Sequence, residues 1–210
     1  MGSSDALVTA AAAPAGRQRD ATAMVPYPAH LVEAWQLDDG TPVTVRPIRG
    51  GDMGIERDFL AGLSSQTRYQ RLLSARKLLP GELRRLTHID YGRDMALAAT
   101  VRFDGVETLL GVARYVRLAD AQSAEFAIVV GDAWQGRGLG ERLMRSLLRA
   151  AALHGMQSLV GLTLTTNVRM QRLARKLGFT PALESGDATV TCLRRLIGPT
   201  PERSAAKLNA

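Results

Sequence analysis

Residues 124 to 140 constrain this chain more tightly than any other stretch. Ala124-Glu-Phe-Ala-Ile-Val-Val130 is an apolar run carrying a single charge. Gly131-Asp-Ala-Trp134 and Gln135-Gly-Arg-Gly-Leu-Gly140 follow, and the chain then repeats apolar residues every four positions at Leu139, Leu143, Leu147 and Ala151. Met144 and Leu148 widen that stripe, and Arg142, Arg145 and Arg149 lie off it. The pattern predicts a strand, a glycine-rich turn, and an amphipathic helix from Gly138 to His154. The first N–H groups of a helix have no intrahelical partner and carry partial positive charge, and glycines let an anion approach the backbone. The turn is therefore a candidate phosphate cradle. It is not the dinucleotide fingerprint, because Gly136, Gly138 and Gly140 lack the G-x-G-x-x-G spacing. Nor is it a P-loop, because Glu141 and Arg142 stand where Lys and Ser or Thr would be needed.

The rest of the chain alternates strand and helix signals. Thr41 to Arg46 is a β-branched run ended by Pro47. Asp52 to Leu63 reads as a helix with Asp52 as N-cap, continued helically over Ser64 to Leu73. Pro80-Gly81-Glu82 opens a further helix. Met95 to Phe103, Thr108 to Val116 and Ala124 to Val130 read as strands, the first two joined by an Asp104-Gly105 hairpin turn. Ser158 to Leu164 reads as a strand, Asn167 to Leu177 as a helix and Thr189 to Leu196 as a last strand. This order predicts an α/β (α+β) fold: an antiparallel hairpin region followed by strand-helix-strand-helix-strand. Residues 1–38 read as a flexible arm, 39–197 as one domain, and 198–210 as a flexible tail.

Composition narrows the chemistry. The chain has 210 residues, 46% of them apolar, enough for one domain with a real core. Its net charge of +7 favours an anionic ligand or partner. The single cysteine, Cys192, rules out a disulfide framework within the chain and fits a reducing, cytoplasmic setting. It reads as a strand residue, since no histidine stands near it in sequence. His30, His88 and His154 are far apart, so no metal is expected. No run is long and apolar enough to span a membrane. The basic residues lack the interleaved aromatics of a nucleic-acid surface.

Two further blocks carry a resemblance. Gln135-x-x-Gly138-x-Gly140, with Asn167 and then Lys176-Leu-Gly178-Phe179 downstream, resembles the GNAT acetyltransferase superfamily. Val45-Arg-Pro-Ile-Arg49, Leu63-Ser-x-x-Thr-Arg-Tyr69, Asp90-Tyr91 followed by Met95-Ala-Leu, and Ala124-Glu-Phe-Ala resemble the GNAT domain of Pat-type protein lysine acetyltransferases. The resemblance implies a mixed, mostly antiparallel twisted sheet flanked by helices. It also implies acetyl-CoA as cosubstrate and, as partner, a protein substrate of the acyl-CoA synthetase type. By the same resemblance, the backbone of Ile128, Val129 and Val130 would pair with the pantetheine amides. The pyrophosphate would lie on Gln135, Gly136, Arg137, Gly138, Leu139, Gly140 and Glu141, and Asn167 would bond the pantetheine arm. Asn167 also reads as a simple helix cap.

Glu125 is the candidate general base. Strand alternation sets it on the face shared by Ala127 and Val129, where an unpaired carboxylate is costly. The alternative reading is a salt bridge to an arginine such as Arg114 on the neighbouring strand. A lysine amine with pKa about 10.4 costs roughly 4–5 kcal/mol to hold neutral at pH 7, and a positioned carboxylate can take that proton. Many GNAT enzymes place a tyrosine seven residues after the Asn, as acid for the leaving thiolate. Here that position is Ala174, with Tyr91, Tyr115 or solvent as substitutes. Acetylation of a small-molecule amine, or CoA sensing without catalysis, are the competing functions. The Arg-rich stretch Arg68, Arg71, Arg76, Lys77, Arg84 and Arg85 is either a docking face for an acidic partner or a solvated surface.

Overall fold

A computed structural model describes residues 25–72, 80–184 and 187–198. Among the described residues eight strands form one sheet: β1 (Glu33–Gln36), β2 (Pro42–Pro47), β3 (Asp94–Phe103), β4 (Val106–Arg117), β5 (Ser123–Val130), β6 (Ser158–Leu164), β7 (Thr180–Glu184) and β8 (Asp187–Leu196). Their order across the sheet is β1-β2-β3-β4-β5-β6-β8-β7. Every pairing is antiparallel except β5 with β6. Five α-helices among the described residues flank it: α1 (Met53–Gly62), α2 (Ser65–Leu72), α3 (Pro80–Thr87), α4 (Leu139–Leu153) and α5 (Val168–Lys176).

Alternation along the strands builds two cores. Met95, Leu97, Ala99 and Val101 of β3 face one side and pack with Leu139, Leu143, Met144 and Leu147 of α4. Ala96 and Ala98 face the other, where Val112, Val129, Ile48 and Leu63 meet Phe59 and Leu60 of α1. The α4 stripe is buried and Arg142, Arg145 and Arg149 are exposed, as its period requires. Asp104 (φ 48°) and Gly105 (φ 81°) make the β3–β4 hairpin turn, a geometry that needs two positive φ angles.

Three expectations are corrected and one strand is added. Residues 33–36 do not belong to a flexible arm, because β1 pairs with β2 from Glu33↔Val45 to Gln36↔Pro42. The strand over Thr180–Glu184 has no signal of its own; it is a short edge strand laid on β8. The helix after α1 is separate, since Leu63 turns extended (ψ 140°), and the Ser64 hydroxyl then accepts the Thr67 N–H at 3.2 Å. Asp52 precedes α1 but its carboxylate does not cap it. It takes the Arg49 N–H at 2.7 Å and grips Arg46 at 2.7 and 2.8 Å. Arg76, Lys77 and the tail beyond Gly198 lie outside the described residues.

Candidate active site

The site begins where two strands part. β5 and β6 are paired only at Ser123↔Ser158, Ala124↔Leu159 and Glu125↔Val160. Beyond Glu125, β5 continues to Val130 bound to β4 alone. Gly131 N–H donates to the Leu110 carbonyl at 2.8 Å, which sets the phase of the β4–β5 ladder. Residues 125, 127 and 129 turn their amides to β4, and 126, 128 and 130 turn theirs to the open edge. Val129 is thus excluded from outward backbone pairing, whereas Ile128 and Val130 are available for it. At the start of the gap the Phe126 ring lies over Gly161, where a Cβ would stand 2.6 Å from the ring. Phe126 also packs on Phe179, with centroids 5.0 Å apart, so the Gly178-Phe179 block supplies part of the wall.

The glycine-rich turn lies beyond the far end of β5. Gly136 and Gly138 both have φ of +79°, a conformation that a side chain resists. No described atom lies within 4 Å of either missing Cβ, so these glycines face open space. Gly140 instead packs, with Leu173, Val130 and Ile128 at 3.5 to 3.9 Å of its missing Cβ. Gly138 is the N-cap of α4, and no side chain caps the helix there. The first intrahelical bond at that end is Arg142 N–H to the Gly138 carbonyl. The N–H groups of Leu139, Gly140 and Glu141 therefore remain for an anion. An extended, diphosphate-bearing ligand fits both features.

Side chains of the turn fix it rather than fill it. Gln135 Nε2 donates to the Val130 carbonyl (3.0 Å) and to Thr67 Oγ1 (3.2 Å), and Gln135 Oε1 accepts from Arg169 (3.1 Å). Asp132 accepts from the Ser64 N–H and from the hydroxyls of Ser64 and Thr67, at 2.6 to 2.9 Å. Burial would raise the Asp132 carboxyl, but these hydrogen bonds outweigh it and hold it below the usual range. Arg137 reaches Asp39 at 3.0 Å and lies over the Trp134 ring. Glu141 binds Lys176 at 2.6 Å and Arg145 at 2.8 Å, tying α4 to α5 and lowering its own pKa. Asp132 and Arg169 carried no signal in the sequence, because their partners lie 34 to 68 positions away, and Thr67 stood in the Leu63–Tyr69 block without an assigned role.

Across the gap, Asn167 caps α5 by accepting the Met170 N–H at 3.1 Å. With Gln66, Gln70, Gln135, Thr166 and Arg169 it lines a groove of about 390 Å³ between α2, the turn and α5. Glu125 is half-buried at the closed end of the strand gap. Arg114 is not its salt-bridge partner: Arg114 points to Glu56 at 3.1 Å and to the Leu86 carbonyl at 3.2 Å. Neither substitute tyrosine is a free acid. Tyr115 is fully buried with its hydroxyl on His154 (2.7 Å), and Tyr91 donates to the Ile48 carbonyl (2.7 Å). Burial pushes both phenols up. Ala174 is fully buried in the α4-side core.

Known proteins agree with this geometry. The acetyltransferase (GNAT) family profile matches residues 68–179. This chain belongs to that family. It is 35% identical over 161 residues to acetyltransferase PA5475 of Pseudomonas aeruginosa, covering 76% of this chain and 86% of that one. It is 33% identical over 163 residues to acetyltransferase Pat of Mycolicibacterium smegmatis, covering 77% of this chain and 46% of Pat. Its fold superposes on the GNAT domain of S. lividans PAT with a TM-score of 0.74, 28% identity, and coverage of 81% of this chain and 99% of that one. The GNAT chain is an acyl-CoA-dependent N-acetyltransferase with acetyl-CoA as cosubstrate. Among the described residues no helix is long and apolar enough to cross a membrane, and no cluster of His, Cys, Asp or Glu could hold a metal.

Proposed function

We propose that this GNAT acetyltransferase acetylates a lysine ε-amine of a protein, of the acyl-CoA synthetase type, with Glu125 as general base. The observation that carries the reading is the place of Glu125, the last β5 residue paired to β6 before the strands diverge. A thioester whose pantetheine arm follows the open edge of Ile128 and Val130 ends beside that carboxylate. The protein acceptor is supported by the likeness to Pat and to the GNAT domain of PAT.

Each residue then has a stated task. The N–H groups of Leu139, Gly140 and Glu141 hold the pyrophosphate, with Gly136 and Gly138 keeping the approach open. The outward amides of Ile128 and Val130 align the arm, and Asn167 closes on it from α5. Glu125 accepts the proton of the attacking amine, directly or through one water. The amine nitrogen bonds to the acetyl carbonyl carbon, the carbon–sulfur bond breaks, and the thiolate leaves with a solvent proton.

Two experiments test the proposal. Acetyl-CoA at about 100 times its dissociation constant should stabilise the fold by roughly 2.7 kcal/mol, with ATP and NAD far weaker. Gly138→Val should remove that stabilisation, and equal protection by ATP would contradict the cradle. Incubation with labelled acetyl-CoA and lysate should label protein at lysine. Label only in small amines would reject the protein acceptor.

A further inference from the structure

Val130 ends the open edge of β5, and its outward carbonyl is already taken. Gln135 Nε2 donates to it at 3.0 Å and to Thr67 Oγ1 at 3.2 Å. Thr67 lies in the first turn of α2 and is 8% exposed, and its hydroxyl donates to Asp132 Oδ1 at 2.6 Å. Asp132 also accepts from the Ser64 hydroxyl at 2.7 Å and from the Ser64 N–H at 2.9 Å. One line of hydrogen bonds therefore runs from a carboxylate just before the glycine-rich turn, through α2, to the edge of β5.

Each link dictates the next. Burial would raise Asp132, but its hydrogen bonds prevail and keep the carboxylate ionised, so it only accepts. The single hydroxyl proton of Thr67 is committed to it, so Thr67 Oγ1 must accept from Gln135. A carboxamide can turn either its NH2 or its oxygen to a neighbour, and only the NH2 suits an accepting hydroxyl and a carbonyl together. Both Gln135 N–H donors are thereby used, and Oε1 accepts from Arg169 at 3.1 Å. Arg169 is exposed, so water competes for that bond, whereas Thr67 is buried. Thr67 is thus the buried side chain that orients Gln135.

We infer that Thr67 is a positioning residue for acetyl-CoA: through Gln135 it closes the Val130 carbonyl, and so fixes the register in which the pantetheine arm pairs with β5. This rests on the reading that the arm follows the open edge of Ile128 and Val130. The Val130 carbonyl is the outward acceptor of β5 nearest the cradle. With it closed, the first groups left to the arm are the Val130 N–H and the Ile128 carbonyl. Outward groups of a strand recur every two residues, so an arm that slipped by one repeat would carry its thioester about 7 Å away. A misplacement of about 1 Å can already lower a rate about 10²-fold. Thr67, Gln135, Asn167 and Arg169 all line the groove of about 390 Å³, which is the path of the arm in this reading.

The test is the rate of label transfer from acetyl-CoA to lysate protein, with acetyl-CoA affinity and melting temperature measured on the same full chain. Thr67→Val keeps the shape of the side chain and removes the hydroxyl. Its rate at saturating acetyl-CoA should fall by about tenfold or more, while the dissociation constant of acetyl-CoA changes less than about threefold, because the backbone cradle is untouched. Thr67→Ser should restore the rate to within about twofold of wild type. On the Gln135→Leu background, Thr67→Val should change the rate less than about twofold, because Thr67 acts through Gln135. A normal rate per folded molecule in Thr67→Val, no rescue by Thr67→Ser, or an equal rate loss on both backgrounds overturns the inference and leaves the open-edge reading standing. If Thr67→Val does not fold, Asp132→Asn is run on both backgrounds with the same criterion. Acetyl-CoA protection that survives Gly138→Val would instead remove the cofactor reading, and the inference with it.

Discussion

Arg46 on β2 and Arg114 on β4 lie on the same side of the sheet and are almost equally buried, yet their partners differ. Arg46 has every guanidinium nitrogen engaged: Asp52 takes two bonds, at 2.7 and 2.8 Å, Glu107 takes Nε at 3.0 Å, and the Pro47 carbonyl a further contact. Burial would lower the Arg46 pKa, but its two acids outweigh burial and raise it. Arg114 shares one oxygen of Glu56, the other oxygen has no partner among the described residues, and burial prevails: Arg114 is lowered and Glu56 raised. A saturated ion cluster anchors β2 to the turn before α1. The unsaturated one underlies the proposed base. Perturbed, under-satisfied charges mark functional sites more often than saturated pairs do.

Breaking the saturated cluster should have the largest effect. Arg46→Met leaves Asp52 buried without its cation, and a loss of about 3–5 kcal/mol in urea unfolding is expected. Acetyl-CoA affinity and turnover per folded molecule should stay near wild type. A loss below about 1 kcal/mol would show that the two clusters do not differ as described.

Glu56→Gln should behave in the opposite way. Burial raises the Glu56 carboxyl against the pull of Arg114, so at neutral pH the amide relieves part of a charge penalty, and stability should equal wild type or exceed it by about 1 kcal/mol. Loss of several kcal/mol would place Glu56 with the saturated cluster.

The smallest effect is the sign of the pH dependence. Glu107 is lowered chiefly by its hydrogen bond from Arg46. Its contribution is present above the ordinary glutamate value of 4.5 and is lost as pH falls through the folded value. Glu56 is raised from the same 4.5, so the folded chain keeps a proton that the unfolded chain releases. Its penalty is absent below 4.5 and grows as pH rises through the folded value. Unfolding curves from pH 3 to 8 should therefore show Glu107→Gln converging on wild type in acid, and Glu56→Gln converging there too but from the more stable side.

The same contrast explains what the sequence could convey. The run from Ala124 to Gly140 announced strand, turn and helix because its signals are local: apolar alternation, glycines, a four-residue stripe. Asn167 was legible as a cap for the same reason. β1 and β7 were missed because short edge strands take their conformation from a neighbour rather than from their own pattern. The partner of Arg114 was not legible because Glu56 is 58 positions away on a helix. The open edge of β5 follows only from where β6 stops pairing, and no residue in β5 encodes that.

The most direct measurement is turnover by Glu125→Gln, taken with melting temperature, acetyl-CoA affinity and a pH–rate profile on one preparation. The variant should fold and bind acetyl-CoA as wild type does. Its turnover at pH 7 should fall about 10²–10⁴-fold, the usual contribution of a general base, and recover in part as pH rises and the amine loses its proton unaided. A folded, acetyl-CoA-binding variant with near-normal turnover, or one that loses melting temperature while its rate per folded molecule holds, would contradict the assignment of Glu125 as the base.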